Sequence, residues 1–308
     1  MSARPLPSVP PALSEADSVL WQALVQQRCG LHFSASRLRL LRQSLWERLR
    51  LTGIATYGAY YQHLTGHPAG AREWAALLEL LLNHETSFWR HQPSFEALTG
   101  HVLPALLQAA PRHTPLAMWS AGCAMGQEPY SLAMAYLDTL RPYAGAGLLS
   151  PESPLLPPAA VKILGTDISH QALERARRGR YKAHEMRHLS ATYRQRYFLL
   201  TSQDDGPVYQ VGPQVQTLVE FAYVNLHDFF TYPPPYAAGT SWGFEVIFCQ
   251  NVLIYFSPEN RLAIVQRLCQ CLRPGGYAFL GPADILGLKL PGLRAVRFGD
   301  ALLYQRLP

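Results

Sequence analysis

The feature that most constrains the fold is the stretch Met118–Met134, where a short apolar run ends in a glycine-bearing turn and a helical pattern follows. Gly122 and Gly126 can take positive φ and let a ligand approach the backbone closely. Pro129 suits the first turn of a helix, where its missing N–H costs nothing. Open α/β sheets bind nucleotides at such a junction. The glycine spacing alone is weak evidence, since it is neither G-x-G-x-x-G nor a P-loop, and an ordinary strand–helix turn is the alternative.

The length and composition are those of a globular protein with two domains. The chain has 308 residues, 48% of them hydrophobic, and no apolar run long enough to span a bilayer. We expect a disordered leader over residues 1–14 and no membrane insertion. The five cysteines are odd in number and scattered, which favours a reduced, cytoplasmic protein. Cys269 and Cys271 lack metal-ligand spacing, and His63 and His67 lack the glutamate of an H-E-x-x-H pair, so no metal site is predicted.

The first part of the chain is helical in pattern and rich in arginine. Apolar residues recur at helical spacing in four segments: 16–29, 35–51, 57–64 and 73–82. The net charge is +6, and six arginines but a single acid, Glu47, lie between residues 28 and 50. Arg39 and Arg42 fall on one exposed flank of the second helix. This flank is either a solvated helix face or a docking surface for an acidic helix.

Two motifs resemble those of one enzyme family. The string G-C-A-M-G-Q-E-P-Y-S-L-A, which begins at Gly122, closely resembles the signature of CheR-type chemoreceptor methyltransferases, which use S-adenosylmethionine (SAM). Residues 83–90 read N-H-E-T-S-F-W-R, similar to that family's N-E-T-x-F-F-R. The resemblance runs from about residue 15 to the end of the chain.

The resemblance implies an α/β fold with a doubly wound SAM-methyltransferase sheet. It also implies an N-terminal helical bundle domain over residues 15–90 and a methyltransferase domain over residues 91–308. A small antiparallel β subdomain is expected as an insertion at about residues 184–219.

The family's motifs also imply cofactor contacts around the glycine turn. In the family, the Asn, Thr and Arg of the second motif reach the SAM pocket, which implies His84, Thr86 and Arg90 here. His84 stands where the family has Asn. Gly122 belongs to the glycine turn, and Glu128 is expected to face the cationic methionyl end of SAM.

Further cofactor contacts are expected after later strands. Val161–Asp167 has the pattern of a buried strand that ends in an acid, and in nucleotide-binding sheets such an acid accepts hydrogen bonds from the ribose hydroxyls. Asp167 is therefore predicted to bind SAM; an N-cap aspartate is the alternative, and both can hold at once. The resemblance implies four more cofactor residues: Asn225, Leu226, Asn251 and Val252.

The sequence departs from the family pattern at two more places. Gln250 stands where Arg is usual, and Gly281-Pro-Ala-Asp284 replaces the common G-H-S-E. Tyr255 matches an active-site tyrosine of the family. The alternative for this region is a sheet-edge turn packed by Phe256.

Three other local predictions follow from composition and pattern. The proline-rich segment 141–160 is predicted to be a loop. Val208–Val211 and Gln214–Phe221 are predicted to be short strands. Arg273–Gly276 is predicted to be a tight turn that precedes the strand Tyr277–Gly281.

The implied reaction is transfer of the SAM methyl group to a protein glutamate, which gives a γ-methyl ester. A carboxylate is ionised at pH 7 and needs no base, so catalysis reduces mainly to positioning and desolvation. Arg90 can hold a carboxylate through two hydrogen bonds, and Tyr255 can donate another, so these two are the predicted catalytic residues.

The predicted partner is the cytoplasmic helical region of chemoreceptors, docked on Arg39 and Arg42, and the protein is expected to be a monomer. No N-P-P-Y-type motif supports a nucleic-acid substrate, and none is predicted. A small-molecule methyltransferase would not need the basic helical bundle. A regulatory homologue that binds SAM without turnover, or an enzyme for a different protein substrate, stays open.

Overall fold

The computed structural model describes residues 12–35, 37–109, 115–145, 161–203, 206–228 and 243–307. Most of the predicted leader and residues 146–160 of the predicted loop lie outside these ranges. The chain divides into two compact units. The first comprises Met1–Asn83 and Tyr255–Asn260, and the second comprises His84–Ile254 and Arg261–Pro308.

The described part of the first unit contains four helices, and each coincides with a predicted segment: α1 (Glu15–Cys29), α2 (Leu38–Thr52), α3 (Tyr57–Gly66) and α4 (Gly70–Leu81). Local chemistry sets their ends. The Ser14 hydroxyl accepts a hydrogen bond from the backbone of Asp17 at the start of α1, while Gly30 ends that helix in the left-handed conformation. In the core, the ring of Trp21 stacks on Tyr60 with centroids 5.3 Å apart.

A partly buried ion pair joins α2 to α4. The Arg48 guanidinium donates to both carboxylate oxygens of Glu73, at 2.8 and 2.9 Å, and the Tyr60 hydroxyl donates to Glu73 Oε1 at 2.7 Å. The two hydrogen bonds from Arg48 and the one from Tyr60 hold the pKa of Glu73 below its usual value against the opposing effect of burial. Arg48 therefore links two helices of the bundle.

The second unit is built on a seven-stranded sheet in the order β6-β2-β1-β7-β8-β10-β9. Its strands are β1 (Leu116–Ala121), β2 (Val161–Asp167), β6 (Val219–Tyr223), β7 (Phe244–Cys249), β8 (Leu272–Leu280), β9 (Leu293–Phe298) and β10 (Ala301–Arg306). The first five run parallel, and β10 is antiparallel to its neighbours. All residues of β1 and β7 are buried, which matches their mostly apolar sequences; Ser120 and Glu245 are the polar residues of these two strands. The predicted doubly wound sheet is confirmed.

A three-stranded antiparallel sheet, in the order β3-β5-β4, lies between β2 and β6 in sequence. Its strands are β3 (Arg180–Lys182), β4 (Phe198–Gln203) and β5 (Gly206–Val211). The helices of this unit are α5 (Gln92–Ala97), α6 (Leu103–Ala109), α7 (Gln127–Gly145), α8 (His170–Arg178), α9 (Ala191–Tyr197), α10 (Pro213–Gln216) and α11 (Pro258–Cys271), which begins in the first unit. A π-helical turn, Leu98–Val102, joins α5 to α6.

Three local predictions were wrong. The loop predicted from residue 141 does not begin there, because α7 continues through Pro142, whose fixed φ is compatible with a helix. The predicted strand Gln214–Phe221 is instead α10, which starts at Pro213, followed by β6. The predicted turn Arg273–Gly276 is a bulge inside β8, since the residues on either side of it still pair with β7.

No helix among the residues that the structure describes is long and apolar enough to cross a membrane. Within the same ranges, no group of three or more His, Cys, Asp or Glu side chains could hold a metal ion.

Replacing Arg48 by Ala should lower the free energy of unfolding by about 1.5–3 kcal/mol, because Glu73 loses two charge-assisted hydrogen bonds inside the bundle. Replacing the exposed Arg39 by Ala should change it by less than about 0.5 kcal/mol. Urea unfolding followed by circular dichroism measures both values. Equal effects of the two substitutions would contradict the structural role of Arg48.

Candidate functional site

The turn after β1 touches the turn after β7. Gly122 has φ of 80°, and its N–H donates to the carbonyl oxygen of Thr166 at 2.8 Å. A Cβ atom at Gly122 would lie 2.5 Å from Cγ2 of Val252. Both the conformation and the contact therefore require glycine here. Because β2 and β7 flank β1, this is the point where the strand order reverses, which is where open α/β sheets bind ligands.

The carboxylate of Asp167, at the end of β2, is held against the same turn. Its Oδ2 accepts a hydrogen bond from the backbone N–H of Ala124 at 2.8 Å, and its Oδ1 accepts from the N–H of Ser169 at 2.9 Å. The alternative of an N-cap role for Asp167 is wrong, because Ser169 caps α8 with its hydroxyl.

Asn225 and Leu226 follow β6 and are both buried. The N–H of Val224, which precedes them, donates to the carbonyl oxygen of Asp167 at 3.1 Å. These two residues therefore lie beside the end of β2, on the side away from β1.

Glu128 lies in the first turn of α7 and is partly buried. Burial raises the pKa of its carboxyl to about 7, and the nearby negative charge of Asp284 also raises it. A hydrogen bond of 2.6 Å from the Ser120 hydroxyl and the positive charge of Arg90 act in the opposite direction. Glu128 is thus an acid whose charge responds to pH near neutrality.

The segment that carries His84, Thr86 and Arg90 is anchored by aromatic packing. Phe88 is fully buried and meets Tyr181 edge to face, with centroids 4.9 Å apart. Trp89 has φ of 52°, and its ring stacks on Phe95. Its N–H also donates to the Ser131 hydroxyl of α7 at 3.2 Å.

Arg90 follows this aromatic anchor and is exposed. Its guanidinium donates a hydrogen bond to the carbonyl oxygen of Glu85 at 2.7 Å. The side chains of His84 and Thr86 are half-buried.

The turn after β7 is held by an acid that the sequence analysis did not assign to the site. Asp284 is fully buried, and its carboxylate accepts hydrogen bonds from the N–H groups of Asn251 at 2.6 Å and Ile254 at 3.0 Å. The signal that could have identified Asp284 is the departure at Gly281–Asp284, which retains a carboxylate.

The side-chain amide of Gln250 hydrogen-bonds to a residue at the start of α5. Its amide donates to the hydroxyl of Ser94 at 2.9 Å, and that hydroxyl lies 2.8 Å from Nδ1 of His91.

Tyr255 belongs to the first unit, whereas Arg90 belongs to the second. The Arg37 guanidinium lies over the Tyr255 ring at 4.7 Å, and the Tyr255 hydroxyl accepts a hydrogen bond from Nδ2 of Asn83 at 3.2 Å. Arg39 and Arg42 are exposed on α2, also in the first unit.

The residues around the glycine turn fit a nucleoside with a cationic tail. Gly122 lets a ligand come close to the backbone, Asp167 offers carboxylate oxygens at the end of the second strand, and Glu128 offers an acid near the same edge. On a mostly parallel, doubly wound sheet, this arrangement is typical of SAM-dependent methyltransferases.

Comparison with known proteins gives the family. The model of the CheR methyltransferase SAM-binding domain matches residues 84–296, and that of the CheR methyltransferase all-alpha domain matches residues 17–82. Chemotaxis protein methyltransferase 1 of Pseudomonas aeruginosa is 32% identical over 95% of this chain and 98% of its own length. The chemotaxis protein methyltransferase of Salmonella typhimurium is 30% identical over 89% of this chain and 85% of its own. The chain therefore belongs to the CheR methyltransferase family and is a SAM-dependent methyltransferase.

Glu128 should make the stability of the ligand-free protein depend on pH. Its pKa is about 7 in the folded protein against an ordinary value of 4.5, so its contribution is complete below pH 4.5 and is lost as pH rises to 7. Glu128→Gln removes the charge and keeps an oxygen for Ser120. The variant should match wild type at pH 4.5 and exceed it by about 1–2 kcal/mol at pH 8 in urea unfolding. This is less than the full pKa difference implies, because Glu128 is only partly buried and solvent screens its charge. A stability difference that is the same at both pH values would contradict this account.

Proposed function

We propose that this protein transfers the methyl group of SAM to glutamate side chains of chemoreceptors and forms γ-glutamyl methyl esters in chemotaxis-type adaptation. The observation that carries the proposal is that chemotaxis protein methyltransferases match nearly the whole chain, so that the helical part is shared as well as the SAM-binding part. The proposed setting is the cytoplasm, with the protein acting as a monomer on the helical region of a receptor and not on nucleic acid.

The proposed SAM pocket combines the residues described around the carboxyl end of β1. Asp167 would accept hydrogen bonds from the ribose hydroxyls, and Glu128 would face the methionyl ammonium. The remaining proposed cofactor contacts are His84, Thr86, Arg90, Gly122, Asn225, Leu226, Asn251 and Val252. Three contacts support this grouping. Gly122 lies against Val252, and the backbone of the glycine turn donates a hydrogen bond to the Asp167 carboxylate. The backbone N–H of Val224, which precedes Asn225, donates to the carbonyl oxygen of Asp167.

The proposed chemistry needs no general base. Bound SAM supplies an electrophilic methyl group, and the substrate carboxylate is already ionised at pH 7. Arg90 would hold that carboxylate through two parallel hydrogen bonds, for which its exposed guanidinium is available. Tyr255 accepts a hydrogen bond from Asn83 and keeps its own O–H to donate to the substrate.

The proposed docking surface lies on α2. Of the six arginines between residues 28 and 50, three have structural roles: Arg28 lies over Trp74, Arg37 over Tyr255, and Arg48 binds Glu73. The exposed ones are Arg39, Arg42 and Arg50. Beside them is a depression of about 350 Å³ lined by Arg42, Gln43, Trp46, Glu47, Arg50 and Leu51. A surface with cationic and apolar groups suits an acidic amphipathic helix.

The function is tested by incubating the protein with methyl-labelled SAM and receptor cytoplasmic fragments. The expected product is labelled receptor from which mild base releases the label, as it does from a methyl ester. In the variant with both Arg39→Ala and Arg42→Ala, the KM for receptor should rise, and kcat/KM should fall about two- to thirtyfold, because exposed charge pairs contribute ~0.2–1 kcal/mol each. The wild-type rate should also fall with added salt, which screens exposed charges.

The matched control replaces Arg294 and Arg297, two exposed arginines of β9, and should leave the KM for receptor unchanged. SAM affinity should be the same in all three proteins. Base-stable label, or no label on the receptor, would contradict the proposed reaction. Unchanged kinetics of the Arg39/Arg42 variant at every salt concentration would show that this flank is only a solvated surface.

A further inference from the structure

The buried carboxylate of Asp284 holds together the loops after two neighbouring strands. It follows β8 and accepts hydrogen bonds from the backbone of Asn251 and Ile254, which follow β7. Burial raises the pKa of this carboxyl, and these amide bonds oppose the rise. The first and last residues of the turn Asn251–Ile254 thus donate to the same side chain.

The backbone around Asp284 is built to receive a short acid. Asn251 has φ of 60°, a left-handed conformation that is uncommon outside glycine and persists where surrounding contacts fix it. At Gly281, a Cβ atom would overlap Oδ2 of Asp284 and would lie 3.2 Å from the backbone nitrogen of Asn251. The carboxylate can reach the turn only because residue 281 has no side chain.

We propose that Asp284 is a positioning residue of the cofactor pocket: its carboxylate fixes the turn Asn251–Ile254 in the shape that sets Asn251 and Val252 against the glycine turn after β1. This inference rests on the proposed assignment of Asn251 and Val252 to the SAM pocket. Asp284 acts through that turn and does not itself touch the ligand. It also explains why the departure at Gly281–Asp284 retains an acid.

Asp284 has a second, electrostatic effect on the same pocket. Its negative charge raises the pKa of Glu128, while the Ser120 hydroxyl and Arg90 act against it. Within the described part of the chain, the buried thiols of Cys123 and Cys249 also interact with Glu128. Burial raises the pKa values of both thiols, so they are uncharged near neutral pH. Removing the charge of Asp284 should therefore lower the pH at which Glu128 ionises.

The test is SAM binding by Asp284→Asn, measured by titration calorimetry from pH 5 to pH 9. At pH 8 the variant should bind SAM at least about tenfold more weakly than wild type, because an amide NH₂ replaces one acceptor and faces an N–H donor. In wild type, affinity should rise with pH as Glu128 ionises. In the variant, the midpoint of that rise should move to lower pH.

A matched control is available at the opposite end of the sheet. Glu245 is also buried, and its carboxylate accepts a hydrogen bond from the backbone of Ala117, at the start of β1, and pairs with Arg273. Glu245→Gln should lower stability and leave both the SAM affinity and its pH midpoint as in wild type. If the two variants lose SAM affinity in proportion to lost stability, or if Asp284→Asn binds like wild type, the positioning role is overturned.

Two further variants keep the outcome decisive. Should Asp284→Asn fail to fold, Gly281→Ala displaces the carboxylate without changing it and should weaken SAM binding in the same way; wild-type affinity in this variant would overturn the proposal. Asn251→Gly keeps the left-handed backbone and removes the side chain. If Asn251→Gly binds SAM like wild type, the assignment of Asn251 to the pocket fails. If Asn251→Gly loses SAM affinity while the Asp284 and Gly281 variants bind SAM like wild type, only the positioning role of Asp284 fails.

Discussion

The close approach of the turn after β1 to the turn after β7 is the constraint on which the site depends. Gly122 combines a positive φ with a position at which Val252 occupies the space of a Cβ atom. The parallel pairing of β1 with β2 and β7 brings three turns to one edge of the sheet, and two of these turns are held by a side-chain carboxylate. The side-chain anchors are carboxylates, Asp167 for the turn after β1 and Asp284 for the turn after β7.

The charged groups of the chain are divided between structure and the proposed substrate contacts. In the first unit, Arg48 stabilises the bundle through Glu73, whereas Arg39 and Arg42 stay exposed on the same helix. In the second unit, Arg90 is exposed at the site and lowers the pKa of Glu128, while Asp284 raises it. Glu128 and Arg90 thus give the proposed site one group of each sign, which suits a cationic cofactor and an anionic substrate.

The fold and much of the candidate site could be predicted from the sequence because their signals are local. The apolar run of β1, the glycine turn that follows it and the acid that ends β2 are each recognisable within a few residues. The errors have non-local causes. The start of β6 is set by its pairing with β2, and the bulge at Arg273–Gly276 is set by the pairing of β8 with β7, so neither is visible in the local sequence. Asp284 was missed because its partner Asn251 lies 33 residues away in sequence.

The central claim is that the glycine turn beside Val252 forms the SAM site, and calorimetry of Gly122→Ala tests it most directly. Its control is Gly299→Ala, since Gly299 also has a positive φ but has open space where a Cβ atom would lie. Both variants pay for a left-handed alanine, about 1–2 kcal/mol in stability. Only Gly122→Ala should also lose SAM affinity, by tenfold or more, because Val252 must move. SAM affinity equal to wild type in a folded Gly122→Ala variant would contradict the account.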